Sequence, residues 1–119
     1  MRTVLVVDDD ASILDVVSEY LETLGYNCLR AASGEEALTL LNHNNIALAI
    51  IDVRMPGMNG LKLLKTIKAI STNFPVILMT GFELSSKDIA NLPYKADAYI
   101  SKPFSLDYLA KLIYGFRLK

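Results

Sequence analysis

Five polar residues of this 119-residue chain could act on one reaction: Asp8, Asp9, Asp52, Thr80 and Lys102. Asp8, Asp52, Thr80 and Lys102 each stand at the end of a short, mainly apolar run, and Asp9 follows Asp8. Three carboxylates gathered at one spot repel each other and raise each other's pKa. Lys102 supplies one compensating charge, and a divalent metal would supply the rest. An all-oxygen, carboxylate-based donor set suits Mg²⁺ or Mn²⁺ and not zinc. Mg²⁺ held by few protein ligands keeps waters and usually meets a phosphate. Aspartate is a competent nucleophile toward a phosphoryl group, giving an acyl phosphate. Such transfer depends mostly on positioning and on neutralising oxygen charge. A metal, an ammonium and a hydroxyl donor are suitable parts for it.

The elements that must position these residues alternate in kind. The apolar runs Thr3–Val7, Asn27–Ala31, Ala47–Ile51, Pro75–Met79 and Ala98–Ser101 read as strands. Three are rich in Val, Ile and Leu without polar alternation, as in a parallel sheet covered on both faces. Between them lie amphipathic stripes at helical spacing: Ile13, Leu14, Val17, Leu21 and Leu24; Ala37, Leu38 and Leu41; Leu61, Leu64, Ile67 and Ile70; and Leu106, Leu109, Leu112, Ile113 and Phe116. Ser85–Leu92 is a shorter, weaker helix signal that ends at Pro93. Ser33 with Glu36 forms a capping box, Ser85 with Asp88 a looser one, and Ser105 can cap the last helix, with Phe104 and Leu109 as a hydrophobic staple. Gly25 ends the first helix.

Five successive β-α units with right-handed crossovers give a doubly wound α/β/α sandwich around a parallel sheet. The five polar residues then share the carboxyl edge of that sheet, where open α/β sheets bind ligands. One domain over residues 1–119 is expected, with no output domain in this sequence.

Composition narrows the function further. Twelve basic and thirteen acidic residues give a net charge of −1, and no Lys or Arg run could track a nucleic-acid backbone. The single cysteine, Cys28, cannot form an internal disulfide or a Cys-based metal site, and reads as a core residue suited to a reducing cytoplasm. No apolar stretch approaches the ~20 residues of a membrane span, and the first residues lack signal-peptide anatomy. The lone His43 lies at a helix end, away from the acidic residues, and is a poor metal ligand.

With these residues in view, the sequence resembles the receiver domain of two-component response regulators over nearly its whole length. The motifs are Val-Val-Asp8-Asp9-Asp10, the run from Asp52 through Pro56 and Gly57 to Gly60, Met79-Thr80-Gly81, and Lys102-Pro103-Phe104. The resemblance implies the flavodoxin-like (βα)5 fold with strand order 2-1-3-4-5. It implies that Asp52 is the phosphoacceptor, that Asp9 is a direct metal ligand, and that Asp8 binds the metal directly or through water. The main-chain carbonyl of Arg54 would be the third protein ligand. Thr80 would hydrogen-bond the phosphoryl group and move inward, Lys102 would pair with it, and Tyr99 would be the aromatic reporter of the switch. Asp10 would be a helix N-cap, and Lys102–Pro103 a cis peptide.

The resemblance also implies partners. A sensor histidine kinase or phosphotransfer protein would donate the phosphoryl group, an output domain or effector would read the surface of the fourth helix, fifth strand and fifth helix, and that face could support a homodimer. Direct binding to nucleic acid or membrane is not expected, and neither is conventional enzymatic turnover. Pro93 should shorten the fourth helix. Arg54 and Phe82 stand where receivers that hydrolyse their phosphate quickly carry small polar or acidic residues, so slow self-dephosphorylation is expected.

Three other readings share parts of this pattern. A haloacid dehalogenase-like phosphatase would use Asp8 as nucleophile in Asp8-x-Asp10, but needs a further acidic pair after the lysine, and only Asp107 follows Lys102. A flavodoxin-like redox protein needs a Ser/Thr-rich phosphate loop where three aspartates stand. A non-phosphorylated docking module would normally have lost an acidic residue or the lysine, and none is lost.

Overall fold

The structure, a computed structural model, describes residues 2–55, 57–81 and 85–118. Pro56 and Phe82, both named above, lie outside the described residues. Ten elements alternate: β1 (Thr3–Val7), α1 (Ala11–Thr23), β2 (Asn27–Ala31), α2 (Gly34–His43), β3 (Leu48–Asp52), α3 (Gly60–Ile70), β4 (Val76–Thr80), α4 (Ser86–Ala90), β5 (Ala98–Ser101) and α5 (Leu106–Gly115). All strands pair in parallel, in the order β2-β1-β3-β4-β5.

Buried side chains fall into two groups, one on each face of the sheet. Leu5, Val7, Ala49, Ile51 and Leu78 pack with Ala37 of α2 and with Leu63, Leu64 and Ile67 of α3. Val4, Val6, Leu48, Ile50, Ile77 and Met79 pack with Leu14, Val17 and Leu21 of α1 and with Leu109 and Ile113 of α5. The alternation along each strand sorts odd and even residues to opposite faces. Both groups are apolar, which is why the central strands carry no polar alternation. Cys28 belongs to the second group, as the sequence suggested.

Strands β3 and β4 sit one residue later than their apolar runs indicate. Asp52 continues the ladder opposite Met79, and Thr80 opposite Ser101. Both polar residues are therefore the last residues of their strands, held by sheet hydrogen bonding, and not the first residues of a loop. The inward stripe of α3 also differs from the expected one. Leu63, Leu64, Ile67 and Lys68 are buried, while Ile70 is 79 % exposed. Lys68 is tolerated inside because its ammonium donates to the carbonyls of Thr72 (3.2 Å) and Phe74 (2.7 Å) and to the carboxylate of Asp97 (2.8 Å).

Helix ends follow local chemistry. Asp10, Ser33, Asn59, Ser85 and Ser105 each accept a backbone N–H at an N-cap. The capping box at Ser85–Asp88 is complete. At Ser33 only half of it forms, because the Glu36 carboxylate accepts from Ala32 instead of the cap residue. Helix α4 spans only Ser86–Ala90, shorter than the 85–92 read from sequence. Asn91 turns its N–H back to Lys87 and Asp88, and Lys95 donates to the carbonyls of Ile89 and Ala90. Pro93 follows; the conformational restriction it places on Leu92 opposes continuation.

Two glycines make a controlled comparison. Gly25 has φ +98° with no atom within 4 Å of where a Cβ would sit. Gly60, at the start of α3, has ordinary φ, but a Cβ there would lie 2.1 Å from the Asp52 carbonyl oxygen. Gly25→Ala should cost about 1 kcal/mol, from left-handed backbone strain alone. Gly60→Ala should cost more than ~3 kcal/mol, because backbone must move. Urea unfolding of both variants checks the order; equal losses would show that the Gly60 contact is relieved at little cost.

Candidate functional site

The site is assembled where β1, β3, β4 and β5 end. Sheet order reverses between β1 and β3, so the chain leaves these two strands toward opposite faces and opens a crevice between their ends. Asp8 follows β1 and is 1 % exposed. Its N–H donates to the carbonyl of Ala31 (3.1 Å), and its Oδ1 accepts the N–H of Asp10 (2.9 Å). Asp9 is exposed at the mouth of the crevice. Asp10 caps α1 and accepts the N–H and hydroxyl of Ser12, which hold its carboxyl below the ordinary range.

Asp52 ends β3 and is 5 % exposed. One carboxylate oxygen from each of Asp8, Asp9 and Asp52 falls within 4.8 Å of the others. Lys102 reaches in from the end of β5. Its N–H donates to the Thr80 carbonyl (2.7 Å), which fixes the start of the loop. Its ammonium lies 2.9 Å from Asp8 Oδ2 and 3.2 Å from Asp52 Oδ1. The Lys102–Pro103 peptide is cis.

The electrostatics follow from this crowding. Burial, then the charge of Asp8, pushes the Asp52 carboxyl up to about 6, against the pull of Lys102 and a hydrogen bond from the Arg54 N–H. Burial alone would lower Lys102. The hydrogen bond and charge of Asp8, with those of Asp52, outweigh it and hold the ammonium above its usual range. Three carboxylates facing one ammonium leave two negative charges over. Hard oxygen donors, close spacing and surplus negative charge together fit a divalent cation such as Mg²⁺ or Mn²⁺.

Thr80 ends β4 beside the carboxylates and is buried. Arg54 lies in the loop after Asp52 with its side chain exposed. Tyr99 is set back on β5, opposite Leu78, and packs on the α2–α3 side of the sheet. Its hydroxyl accepts the N–H of Ala96 (3.1 Å). His43 is remote, with Nδ1 2.8 Å from the Thr39 carbonyl. Burial pushes the Cys28 thiol up to about 11, so it is no nucleophile.

Two supporting residues escaped sequence reasoning. Asn59 caps α3 through the N–H of Lys62 (2.9 Å) and so anchors the far end of the loop after Asp52. Its signal, an Asn directly before Gly60 and an apolar helix, was available. Lys68 ties α3 to Asp97, and its place four residues after Leu64 was the clue to its burial.

The fold and site define a class: an open parallel α/β domain with an acidic cluster and a lysine at its carboxyl edge. The comparisons place the chain within that class. A family model described as the response regulator receiver domain matches residues 4–114, and the chain belongs to that family. The response regulator SaeR of Staphylococcus aureus is 36 % identical over 105 residues, covering 88 % of this chain and 46 % of SaeR. This chain thus spans about half the length of the curated relatives it matches.

Among solved structures, a CheY-like receiver domain protein from Methanospirillum hungatei superposes with a TM-score of 0.89 at 33 % identity, covering 97 % of this chain and 92 % of that one. The response regulator TrrA of Thermotoga maritima, solved in complex with Mg²⁺-BeF, gives 0.85 at 34 % identity, covering 97 % and 98 %. The phosphatase reading is not favoured. Asp107, the acidic residue it would need after Lys102, accepts the Tyr20 hydroxyl and is no part of the acidic cluster. Among the described residues, no helix is long and apolar enough to cross a membrane.

The raised Asp52 carboxyl has a stability consequence in metal-free protein. Its folded pKa of about 6 lies above the 3.8 of an unperturbed Asp, so folding favours the protonated form. The cost of ionising it is absent below about pH 4, grows to about pH 6, and is complete above that. In chelator, Asp52→Asn should raise the melting temperature at pH 7.5 by roughly 5 °C, and the gain should vanish near pH 4. Thermal melts across that range check it; a gain independent of pH would contradict the electrostatic origin.

Proposed function

We propose that this chain is a phosphorylation-activated switch in which Asp52 accepts a phosphoryl group from a phosphohistidine of a sensor histidine kinase or phosphotransfer protein. The observation that carries this reading is the Lys102 ammonium held between Asp8 and Asp52 in a chain of the receiver family. A carboxylate oxygen of Asp52 attacks phosphorus in line, the P–N bond breaks, and the imidazole leaves with the electron pair and takes up a proton. Lys102 neutralises a phosphoryl oxygen, and the Thr80 hydroxyl donates to another.

Asp8, Asp9, Asp52 and the main-chain carbonyl of Arg54 would hold Mg²⁺ or Mn²⁺, which when bound supplies further neutralisation of oxygen charge. The Mg²⁺-BeF complex of TrrA supports that ion here. The chain promotes its own phosphorylation and slow dephosphorylation without conventional turnover. Phosphorylation shifts the population between two packings of the β4–β5 edge, with Tyr99 turning as Thr80 moves inward. The α4, β5 and α5 surface then signals to an output domain or effector, or to a second copy of the chain, in the cytoplasm.

Intact mass after incubation with acetyl phosphate and Mg²⁺ tests the acceptor. The wild type should gain one phosphoryl group, and Asp52→Asn or chelator should abolish the gain; phosphate trapped on Asp8 would instead revive the phosphatase reading. Lys102→Ala should slow phosphorylation about 100-fold, measured as the initial rate of mass gain. The phosphorylated protein should outlast minutes, because Arg54 and Phe82 replace the small polar or acidic residues of fast receivers; a lifetime of seconds would contradict this.

A further inference from the structure

The β2–α2 junction touches both halves of the site without contributing a ligand to it. On one side, the carbonyl of Ala31, the last residue of β2, accepts the N–H of Asp8 at 3.1 Å. On the other, Gly34, the first residue of α2, is buried beneath Met58. A Cβ at Gly34 would lie 2.8 Å from both Cβ and Cγ of Met58 and 2.9 Å from its Sδ. Contacts so short do not occur between carbon atoms, and the Met58 Cβ is fixed to backbone, so side-chain rotation alone cannot relieve them.

Met58 belongs to the loop that runs from Asp52 to Gly60. The far end of that loop is pinned as well. Gly60 N–H donates to the Val53 carbonyl (2.9 Å), and Asn59 caps α3. At Gly57, φ is +74°, and a Cβ would meet the Glu35 carboxylate of α2 at 3.6 Å. The loop thus closes on Asp52 through Gly60 and lies against the first turn of α2 through Gly57 and Met58. Arg54, the proposed carbonyl ligand, lies between these supports and Asp52.

We propose that Gly34 is a positioning residue for the metal and phosphoryl site. The β2–α2 junction is a bracket that sets the spacing between Asp8 and the loop after Asp52, and only a residue without a side chain at position 34 lets Met58 seat there. The inference rests on the metal-binding reading above. Adding a Cβ at position 34 lifts the Met58 arm of the loop while the Ala31 bond still holds Asp8. The Arg54 carbonyl and Asp8 then move apart, although neither has been altered.

The test is a double-mutant cycle read by Mg²⁺ affinity, from amide chemical shifts during titration of wild type, Gly34→Ala, Met58→Gly and the pair. Melting in chelator confirms that each variant is folded. Gly34→Ala should weaken Mg²⁺ binding about tenfold, as loss of an outer support typically does. Met58→Gly should weaken it also, and the pair should be no weaker than Met58→Gly alone, because the three atoms nearest the added Cβ, all in the Met58 side chain, are then gone. Unchanged affinity in folded Gly34→Ala, or weakening that simply adds in the pair, overturns the bracket. If Gly34→Ala does not fold, Met58→Gly, which only removes atoms, decides the matter: unchanged affinity overturns the proposal. A wild type that binds no Mg²⁺ overturns the metal reading, and the bracket with it.

Discussion

The ammonium of Lys102, 2.9 Å from Asp8 and 3.2 Å from Asp52, is the contact on which the carboxyl edge of this sheet depends. Two carboxylates, 1 % and 5 % exposed, are kept close by the ladder between β1 and β3 and cannot separate to relieve their repulsion. Lys102 partly screens them. Its own place is fixed by the Thr80 carbonyl, so β4 and β5 are drawn into the balance. Each strand of the site therefore feels the charge state of the others. A group that arrives carrying negative oxygens and accompanied by a cation changes that balance at once, which is the physical content of a switch.

Much of this was legible in the sequence because the information is local. Unbroken Val, Ile and Leu runs announced a sheet buried on both faces; Asp8, Asp52 and Thr80 each stood directly after such a run, and Lys102 after the shorter strand Ala98–Ser101. Parallel topology then forced them to one edge. Legibility failed where a residue's role depends on what faces it. Nothing local to Asp52 or Thr80 reveals that the ladder continues through them; that depends on Met79 and Ser101 across the strand pairs. Spacing from Leu64 puts Lys68 on the inward face of α3, but its three acceptors come from the α3–β4 connection and from Asp97, which no local pattern shows.

The α4 region is the clearest departure from the expected pattern. Five residues cannot form the long amphipathic helix that would cover its side of the sheet, and no described side chain of α4 enters either buried group. Tyr94, Ala96 and Tyr99 pack against the α2–α3 group there instead. The N–H of Ala96 ends on the hydroxyl of Tyr99, so the segment before β5 is bound to a ring on β5 itself. A rotation of that ring breaks a specific hydrogen bond in the segment beside α4, and the two are mechanically one unit.

The opposite end of the sheet has a different character. The Asp97 carboxylate accepts both Lys68 and the N–H of Val76, joining the last turn of α3 to the starts of β4 and β5 in one neutral knot. These two strands are therefore held at the base, while at the other end, among the described residues, only Lys102, just after β5, brings a charge to the carboxylates of β1 and β3. A clamped base turns any displacement at the tips into a swing about a fulcrum. With the base held in this way, any displacement of the two strands would be largest at their carboxyl ends, farthest from the knot.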